Sequence, residues 1–391
     1  MIKRALEARL RELAKKMPAI AVVGPRQAGK TTLVRAVFPD YQYISLEDPD
    51  TLSRVEADPR GFLERALLQP GIIIDEFQRM PALVSYLQGF IDRCEKPGFF
   101  ILTGSQNYLM MQSISQSLAG RVSILTLLPL SNTELAAAGK LTNNYHEALW
   151  RGFYPRSFAP NVEPREWVNS YIEQYLERDV RQIITVKDLR TFQRFIGLCA
   201  GRVGQLLNIS SLAVEAEINQ ATAKQWLSLL EASYLIKLVQ PWHSNTNKRL
   251  VKTPKLYFTD TGLVCALLKI ASSEQLMQHY ALGSIFENMV VMELLKARYN
   301  QGDPSNIYFI RGARGEEVDV ALEYANHLRL VEVKATATIQ AGLLKGLRYW
   351  QENIDKKTSC FLVTGSMQPT DAIGDITTMS WQQCGELVHE E

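Results

Sequence analysis

Residues Gly24, Pro25, Arg26, Gln27, Ala28, Gly29, Lys30 and Thr31 follow directly on an apolar run, Ala19–Val23. Two glycines bracket four variable positions, and a lysine and a hydroxyl residue come next: the pattern G-x-x-x-x-G-K-[ST]. Glycine admits backbone dihedrals that other residues resist. Successive N–H groups can then be turned to one side and aimed at an anion. From Lys30 and Thr32 onward, Leu33, Val34, Val37 and Phe38 fall on one face of a helix. The N-terminus of that helix adds a partial positive charge beside the loop. Strand, anion-cradling turn and helix together predict a βα unit of a parallel sheet. Residues 24–32 are the expected phosphate cradle. Lys30 is expected on the β- and γ-phosphates, and the Thr31 hydroxyl on a Mg²⁺ ion.

A second element supports the first. Ile72, Ile73 and Ile74 run into Asp75 and Glu76, a buried strand that ends in two carboxylates. Asp75 is expected in the Mg²⁺ shell, and Glu76 as the group that orients or activates the attacking water. The apolar run Phe99–Thr103 leads to Gly104 and Ser105. Ser105, Gln106 or Asn107 are either contacts to the γ-phosphate and its water or simple turn formers. Farther on, Arg121 precedes another strand. It is either an arginine finger acting across a subunit interface or a surface ion pair.

Apolar runs at Ala19–Val23, Tyr41–Leu46, Gly71–Ile74, Phe99–Thr103 and Val122–Leu128 alternate with helical patterns. This rhythm predicts buried parallel strands with helices on both faces. Residues 134–200 read as mostly helical, and residues 275–391 return to mixed α/β, with strands at Ile307–Ile310, Val318–Glu323, Arg329–Val333 and Cys360–Val363. The expected division is 1–135, 136–270 and 271–391. No run of 18 apolar residues occurs, so no membrane span is expected. Near the start, Ile2, Leu6, Leu10 and Leu13 mark one face of an amphipathic helix rather than a signal peptide. Five scattered cysteines without a C-x-x-C pair fit reduced thiols and a cytoplasmic location. Lys plus Arg is 43 against 41 for Asp plus Glu, a net charge of +2, which excludes a general polycation but not a local basic patch.

Two features behind the phosphate loop carry chemistry. Ser210–Ala216, the turn 217–219 and Gln220–Ala232 read as helix-turn-helix, with Trp226, Leu229 and Leu230 inward. Strand-like segments Tyr234–Val239 and Leu256–Thr259 follow, and the turn between them holds Lys248, Arg249 and Lys252. The second helix offers one cation, Lys224, beside Gln220, Thr222, Gln225 and Ser228, so the segment reads either as a DNA-binding module or as a packing module. Then Glu317-Val-Asp319 and Glu332-Val-Lys334 form two alternating stretches around Asn326. A hairpin centred there sets Asp319 against Glu332 or its neighbour, with Lys334 on the same face. Two carboxylates and a lysine are a donor set for Mg²⁺ and water activation, to which Glu287 could add a ligand. The bland alternative is a solvated strand face.

With these residues in view, residues 18–135 resemble an AAA+-type P-loop ATPase. The whole chain resembles a prokaryotic family that joins this ATPase to a C-terminal domain of unknown function. The likeness rests on the 24–31 loop, Ile74-Asp-Glu-Phe-Gln, Leu102-Thr-Gly-Ser-Gln, Ser117-Leu-Ala-Gly-Arg, Tyr175-Leu-Glu-Arg-Asp-Val and Pro254-Lys-Leu-Tyr-Phe-Thr-Asp-Thr-Gly-Leu. The resemblance implies ATP as the nucleotide and homo-oligomeric rings as a common assembly. The absence of an N-K-x-D motif agrees with ATP over GTP. Asp319, Glu332 and Lys334 fall on the motif positions of the PD-(D/E)xK nuclease core, with Val318 in place of the motif proline. The fold class implied is α/β: a P-loop parallel sheet, a helical and winged-helix-like region, and an α/β restriction-endonuclease-like domain. The function implied is Mg²⁺-dependent ATP hydrolysis coupled to conformational change in rear domains that bind or act on DNA. The alternative is a nucleotide-controlled switch or scaffold that binds a protein partner and carries an inactive nuclease-like domain.

Overall fold

The computed structural model describes residues 2–94, 96–105, 118–175, 189–243, 251–336, 341–367 and 372–389. Gln106, Asn107, Ser117, Lys248, Arg249 and residues 176–182 of the charged helical stretch lie outside the described residues. The chain divides into two compact units. One comprises Met1–Leu130, Ala232–Tyr234 and Arg298–Pro304; the other comprises Ser131–Glu231, Leu235–Ala297 and Ser305–Glu391.

The first unit is built on a five-stranded sheet in the order β2-β3-β4-β1-β5, with β1 Ala19–Val23, β2 Gln42–Ser45, β3 Ile72–Asp75, β4 Phe100–Gly104 and β5 Val122–Thr126. Every pairing is parallel. β1, β3 and β4 are fully buried, as expected. β2 and most of β5 are only half-buried. They form the two edges, each with one neighbour, and this corrects the expectation of buried strands throughout. Alternation along β1 divides the core between the two faces. Ile20 and Val22 pack with Leu6 and Leu10 of α1 (Leu6–Leu13) and with Leu33, Val34 and Val37 of α2 (Lys30–Val37). Ala19, Ala21 and Val23 lie in the opposite layer with Val55, Phe62, Leu63 and Leu87, from α3 (Pro49–Ala57), α4 (Pro59–Ala66) and α5 (Leu83–Arg93). Fully burying each Val, Leu, Ile or Phe side chain among these contributes about 1.5–3 kcal/mol. Both α3 and α4 open on an Asp-Pro pair. Asp48 accepts from Thr51 N at 3.1 Å and Asp58 from Gly61 N at 2.8 Å, and each proline takes a first-turn position that needs no donor.

The second unit begins with helices, among them Asn132–Ala137, Tyr145–Arg151 and Leu189–Ala200. Ile209–Glu215 and Gln220–Ala232 form the expected helix pair, with Trp226 packed edge-on against Phe192 and Phe195. Two antiparallel strands follow, β6 (Ile236–Val239) and β7 (Lys255–Phe258). The helix Leu282–Asn300 leads into a sheet in the order β12-β11-β10-β9-β8: β8 Ile307–Arg311, β9 Glu317–Glu323, β10 His327–Lys334, β11 Lys357–Thr364 and β12 Ile376–Ser380. β8, β9 and β10 make an antiparallel meander. β10, β11 and β12 are parallel, with the helix Lys345–Asn353 as the crossover between β10 and β11. All five cysteines are free thiols, four of them buried. Among the described residues no helix is long and apolar enough to cross a membrane.

Candidate functional site

The loop after β1 has the backbone its sequence predicts. Gly24 has φ +146°, and a Cβ there would lie 2.1 Å from the Leu127 carbonyl oxygen, so only glycine fits. Gln27 (φ 58°) and Gly29 (φ 94°) also take left-handed conformations, and Gly29 caps α2. Lys30 is 6% exposed and donates to the carbonyls of Gly24 at 3.0 Å and Pro25 at 2.8 Å. Its ammonium thus folds back into the concavity of the loop, where an anion would compete for it. Ala28, Thr31 and Thr32 continue the curl into the first helical turn.

Below the loop, Asp75 collects hydroxyl donors. Thr31 Oγ1 donates to Asp75 Oδ2 at 2.9 Å and Tyr43 OH to the same oxygen at 2.7 Å, while Thr103 Oγ1 donates to Oδ1. Burial and the Asp75 carboxylate push the Tyr43 phenol up to about 12. The Thr31 hydroxyl and the Asp75 carboxylate share one spot of hard oxygen donors, which fits Mg²⁺. Glu76 takes a left-handed φ of 52° and so turns out of the strand. Its Oε2 accepts from Gln78 Nε2 at 2.6 Å and from Ser105 Oγ at 3.2 Å. Glu76 and Ser105, 29 residues apart in sequence, are therefore adjacent. Arg121 forms a forked pair with Asp92, at 2.5 and 3.0 Å, and both side chains are exposed.

Sequence spacing missed three contributors here. Arg4, 7% exposed, donates to Ala28 O and to Leu128 O, both at 2.6 Å, and so braces the back of the loop. Tyr43 and Thr103 bond to Asp75 from neighbouring strands. Only the position of Thr103 at the end of an apolar strand hinted at such a role.

The second unit gathers Asp319, Glu332, Lys334 and Glu287 in one place. The hairpin register sets Val331 against Val320; carried one residue on, it faces Glu332 with Asp319. Lys334 Nζ lies 2.6 Å from Glu332 Oε1 and 3.5 Å from Asp319 Oδ2, and Val333 N donates to Asp319 Oδ2 at 2.9 Å. Residues outside the expected set join them. Lys255 Nζ lies 2.9 Å from Glu287 Oε1 and 2.6 Å from Glu317 Oε1, and Tyr257 OH donates to Glu287 Oε1 at 2.5 Å. Arg311 pairs with the other oxygen of Glu317 at 2.9 Å. Burial, then the Asp319 charge, push the Glu332 carboxyl up to about 8. Burial likewise raises Glu287. Burial works against the charge on Lys255, but Tyr257, Glu287, Asp319 and Glu317 outweigh it and hold the ammonium protonated. Among the described residues no three His, Cys, Asp or Glu side chains converge as a metal cage requires. Lysine nitrogens bind these carboxylates instead: Lys334 those of Glu332 and Asp319, and Lys255 those of Glu287 and Glu317.

A family model described as AAA domain matches residues 16–136. Two described as Domain of unknown function match residues 142–274 (DUF8612) and 282–383 (DUF4143). The uncharacterized proteins Rv2008c of Mycobacterium tuberculosis and Mb2031c of Mycobacterium bovis are each 32% identical to this chain over 342 residues, covering 86% of it and 74% of their own length. Among solved structures, the Walker-type ATPase paby2304 of Pyrococcus abyssi is similar at 16% identity and a TM-score of 0.47, over 68% of this chain and 96% of that one.

Proposed function

Since the chain belongs to the family of AAA-type ATPases with a C-terminal domain of unknown function (DUF4143), we propose that it binds ATP with Mg²⁺ on residues 24–32 and hydrolyses it. Hydrolysis then drives conformational change in a C-terminal half that binds or acts on DNA. The observation that carries the ATP reading is the Thr31–Asp75 contact of 2.9 Å beneath a loop with room only for glycine at position 24.

Lys30 exchanges the Gly24 and Pro25 carbonyls for phosphate oxygens. Thr31 and Asp75 would hold the Mg²⁺ ion, which supplies charge neutralisation along the phosphates. Glu76, oriented by Gln78 and Ser105, takes the proton from water as its oxygen bonds to the γ-phosphorus and ADP leaves. Arg121 serves as a finger across a ring interface. Its pair with Asp92 is exposed on both sides and, screened by solvent, holds it weakly. The three-part division 1–135, 136–270 and 271–391 assigns hydrolysis to the first part and partner handling to the other two.

The helix pair 209–232 with β6 and β7, a winged-helix-like arrangement, and the nuclease-like order of helix, meander, crossover helix and strand support the DNA reading. A second reading has a specific observation in its favour. Arg202 pairs with Glu215 and Arg194 with Glu217, so the helix pair presents a balanced rather than a basic face. Here the C-terminal half is a nuclease-like scaffold that binds a protein partner without cutting, under nucleotide control.

Two substitutions test the ATPase. Lys30→Ala should lose nucleotide binding, and Glu76→Gln should bind without turnover; unchanged hydrolysis in either overturns the assignment. Incubation with plasmid, beside an Asp319→Ala control, separates the two partner readings. Cleavage that the control abolishes supports action on DNA. Intact plasmid together with nucleotide-dependent protein capture supports the scaffold.

A further inference from the structure

Lys255 stands in an unusual position for a cation. Its side chain is 2% exposed, yet it arrives on β7, outside both the helix and the sheet that carry the carboxylates it meets. Glu287 comes from the helix Leu282–Asn300 and Glu317 from β9, and the lysine nitrogen bonds to both. The Phe309 ring lies 5.4 Å from the ammonium and closes another side. Tyr257, two residues on and therefore on the same face of β7, donates to the same oxygen of Glu287. Asp319 and Glu332 complete the group and are tied to Lys334. Glu332 Oε2 is buried without a hydrogen-bond partner. Carboxylates this close repel one another unless a cation sits among them, and buried cations persist only where they are paired.

We infer that the Lys255 ammonium, paired with Glu287 and Glu317 beside the Lys334 ammonium on Asp319 and Glu332, takes the place of a cation in this carboxylate cluster, so that this half of the chain carries a resident ammonium and does not take up a divalent metal ion. The inference rests on the second reading above, the nuclease-like scaffold that does not cut, and deepens it by naming what keeps that scaffold from cutting. A divalent ion drawn to Glu287 would have to displace the Lys255 ammonium from that carboxylate and leave a buried cation with Glu317 alone as its ion-pair partner. β7 thus acts as a plug, and its lysine holds the helix Leu282–Asn300 to β9 by charge.

The test uses the full chain without nucleotide, with Mn²⁺ as the probe and bound ion read by electron paramagnetic resonance. The informative variant is Lys255→Met combined with Glu317→Gln, which removes one charge of each sign and leaves Glu287, Asp319 and Glu332 in place. The wild type should show no Mn²⁺ binding that Asp319→Asn removes. The double variant should gain a site at least about tenfold tighter than any in the wild type, and Asp319→Asn should abolish it. Wild-type binding that is sensitive to Asp319→Asn would overturn the proposal. So would a folded double variant, checked by far-ultraviolet dichroism, that gains no site. A double variant that unfolds and is not rescued by Mn²⁺ also counts against it, because the ion should replace the ammonium. ATP turnover and DNA cleavage are not read, so failure of the broader functional reading leaves these outcomes distinct.

Discussion

At the scale of single residues, the phosphate loop is tuned by groups that touch it from behind as well as by its own glycines. Arg4 donates through two nitrogens to Ala28 O and Leu128 O, and hydrogen bonds to charged groups are worth about 1.5–3 kcal/mol each. Arg4→Met should therefore weaken nucleotide binding and lower stability by about 2–3 kcal/mol. Titration with a fluorescent nucleotide analogue and urea unfolding measure the two effects; unchanged affinity would mean the loop holds its curl unaided. Glu76 differs in kind. It is fixed by Gln78 and Ser105 at the end of β3, so Glu76→Gln should leave affinity nearly intact while turnover falls about 10²–10⁴-fold. Phosphate release beside equilibrium binding separates the two. The glycines, Lys30 and Thr31 stood out in the sequence because one strand, one turn and one helix fix their spacing, and Asp75 and Glu76 because they close a separate apolar strand. Arg4, Tyr43, Lys255 and Tyr257 were not. Each reaches its partner through space from another element, and no local spacing encodes that approach.

At the scale of elements, the first sheet was nearly all legible, since four or five consecutive apolar residues between helical patterns leave little choice of structure. Its edges were not. Gln42, Tyr43 and Ser45 of β2 lie within an apolar-looking stretch, but the strand has a neighbour on one side only and stays half-buried. β12 escaped notice because Thr377 and Thr378 interrupt the apolar pattern; it forms by pairing in parallel with β11. The hairpin of β9 and β10 was legible as a centre of symmetry near Asn326, and the Val331–Val320 pairing agrees with it. The crossover helix Lys345–Asn353 packs so closely on β9 that a Cβ at Gly346 would lie 2.0 Å from the Glu317 carbonyl oxygen. Gly346→Ala should force the helix off the sheet and destabilise this half by about 1–3 kcal/mol. Chemical unfolding followed by near-ultraviolet dichroism reads the change. An unchanged midpoint would mean that the helix can slide without loss.

At the scale of the whole molecule, charge is balanced in sum but unevenly buried. The surface carries short-range pairs such as Lys16–Glu12, whereas the second unit buries Glu287, Glu293, Glu332 and Asp260, all with carboxyls raised by burial. These groups set the pH dependence of stability. A carboxyl whose folded pKa lies above its unfolded value binds its proton more tightly in the native state. Its contribution is then complete below the unfolded value and declines as pH rises toward the folded one. For Glu332 that window runs from 4.5 to about 8. Lys255 and Lys334 are also raised, but from an ordinary value of 10.5, so their contribution is lost only above the window. Exposed acids with lowered values, such as Glu12 at about 2, act below it. Within the window, burial holds the His146 imidazole below its ordinary 6.5, so His146 works the other way up to that value; the four raised carboxyls outnumber it, so from pH 5 to pH 8 the second unit should melt at progressively lower temperature. Glu332→Gln, which stays neutral at every pH, should flatten this slope. Thermal scans of the full chain across that range decide the matter: a melting temperature that climbs from pH 5 to pH 8, or a slope identical in wild type and Glu332→Gln, would mean that the Glu332 carboxyl is already ionised in its pair with Lys334.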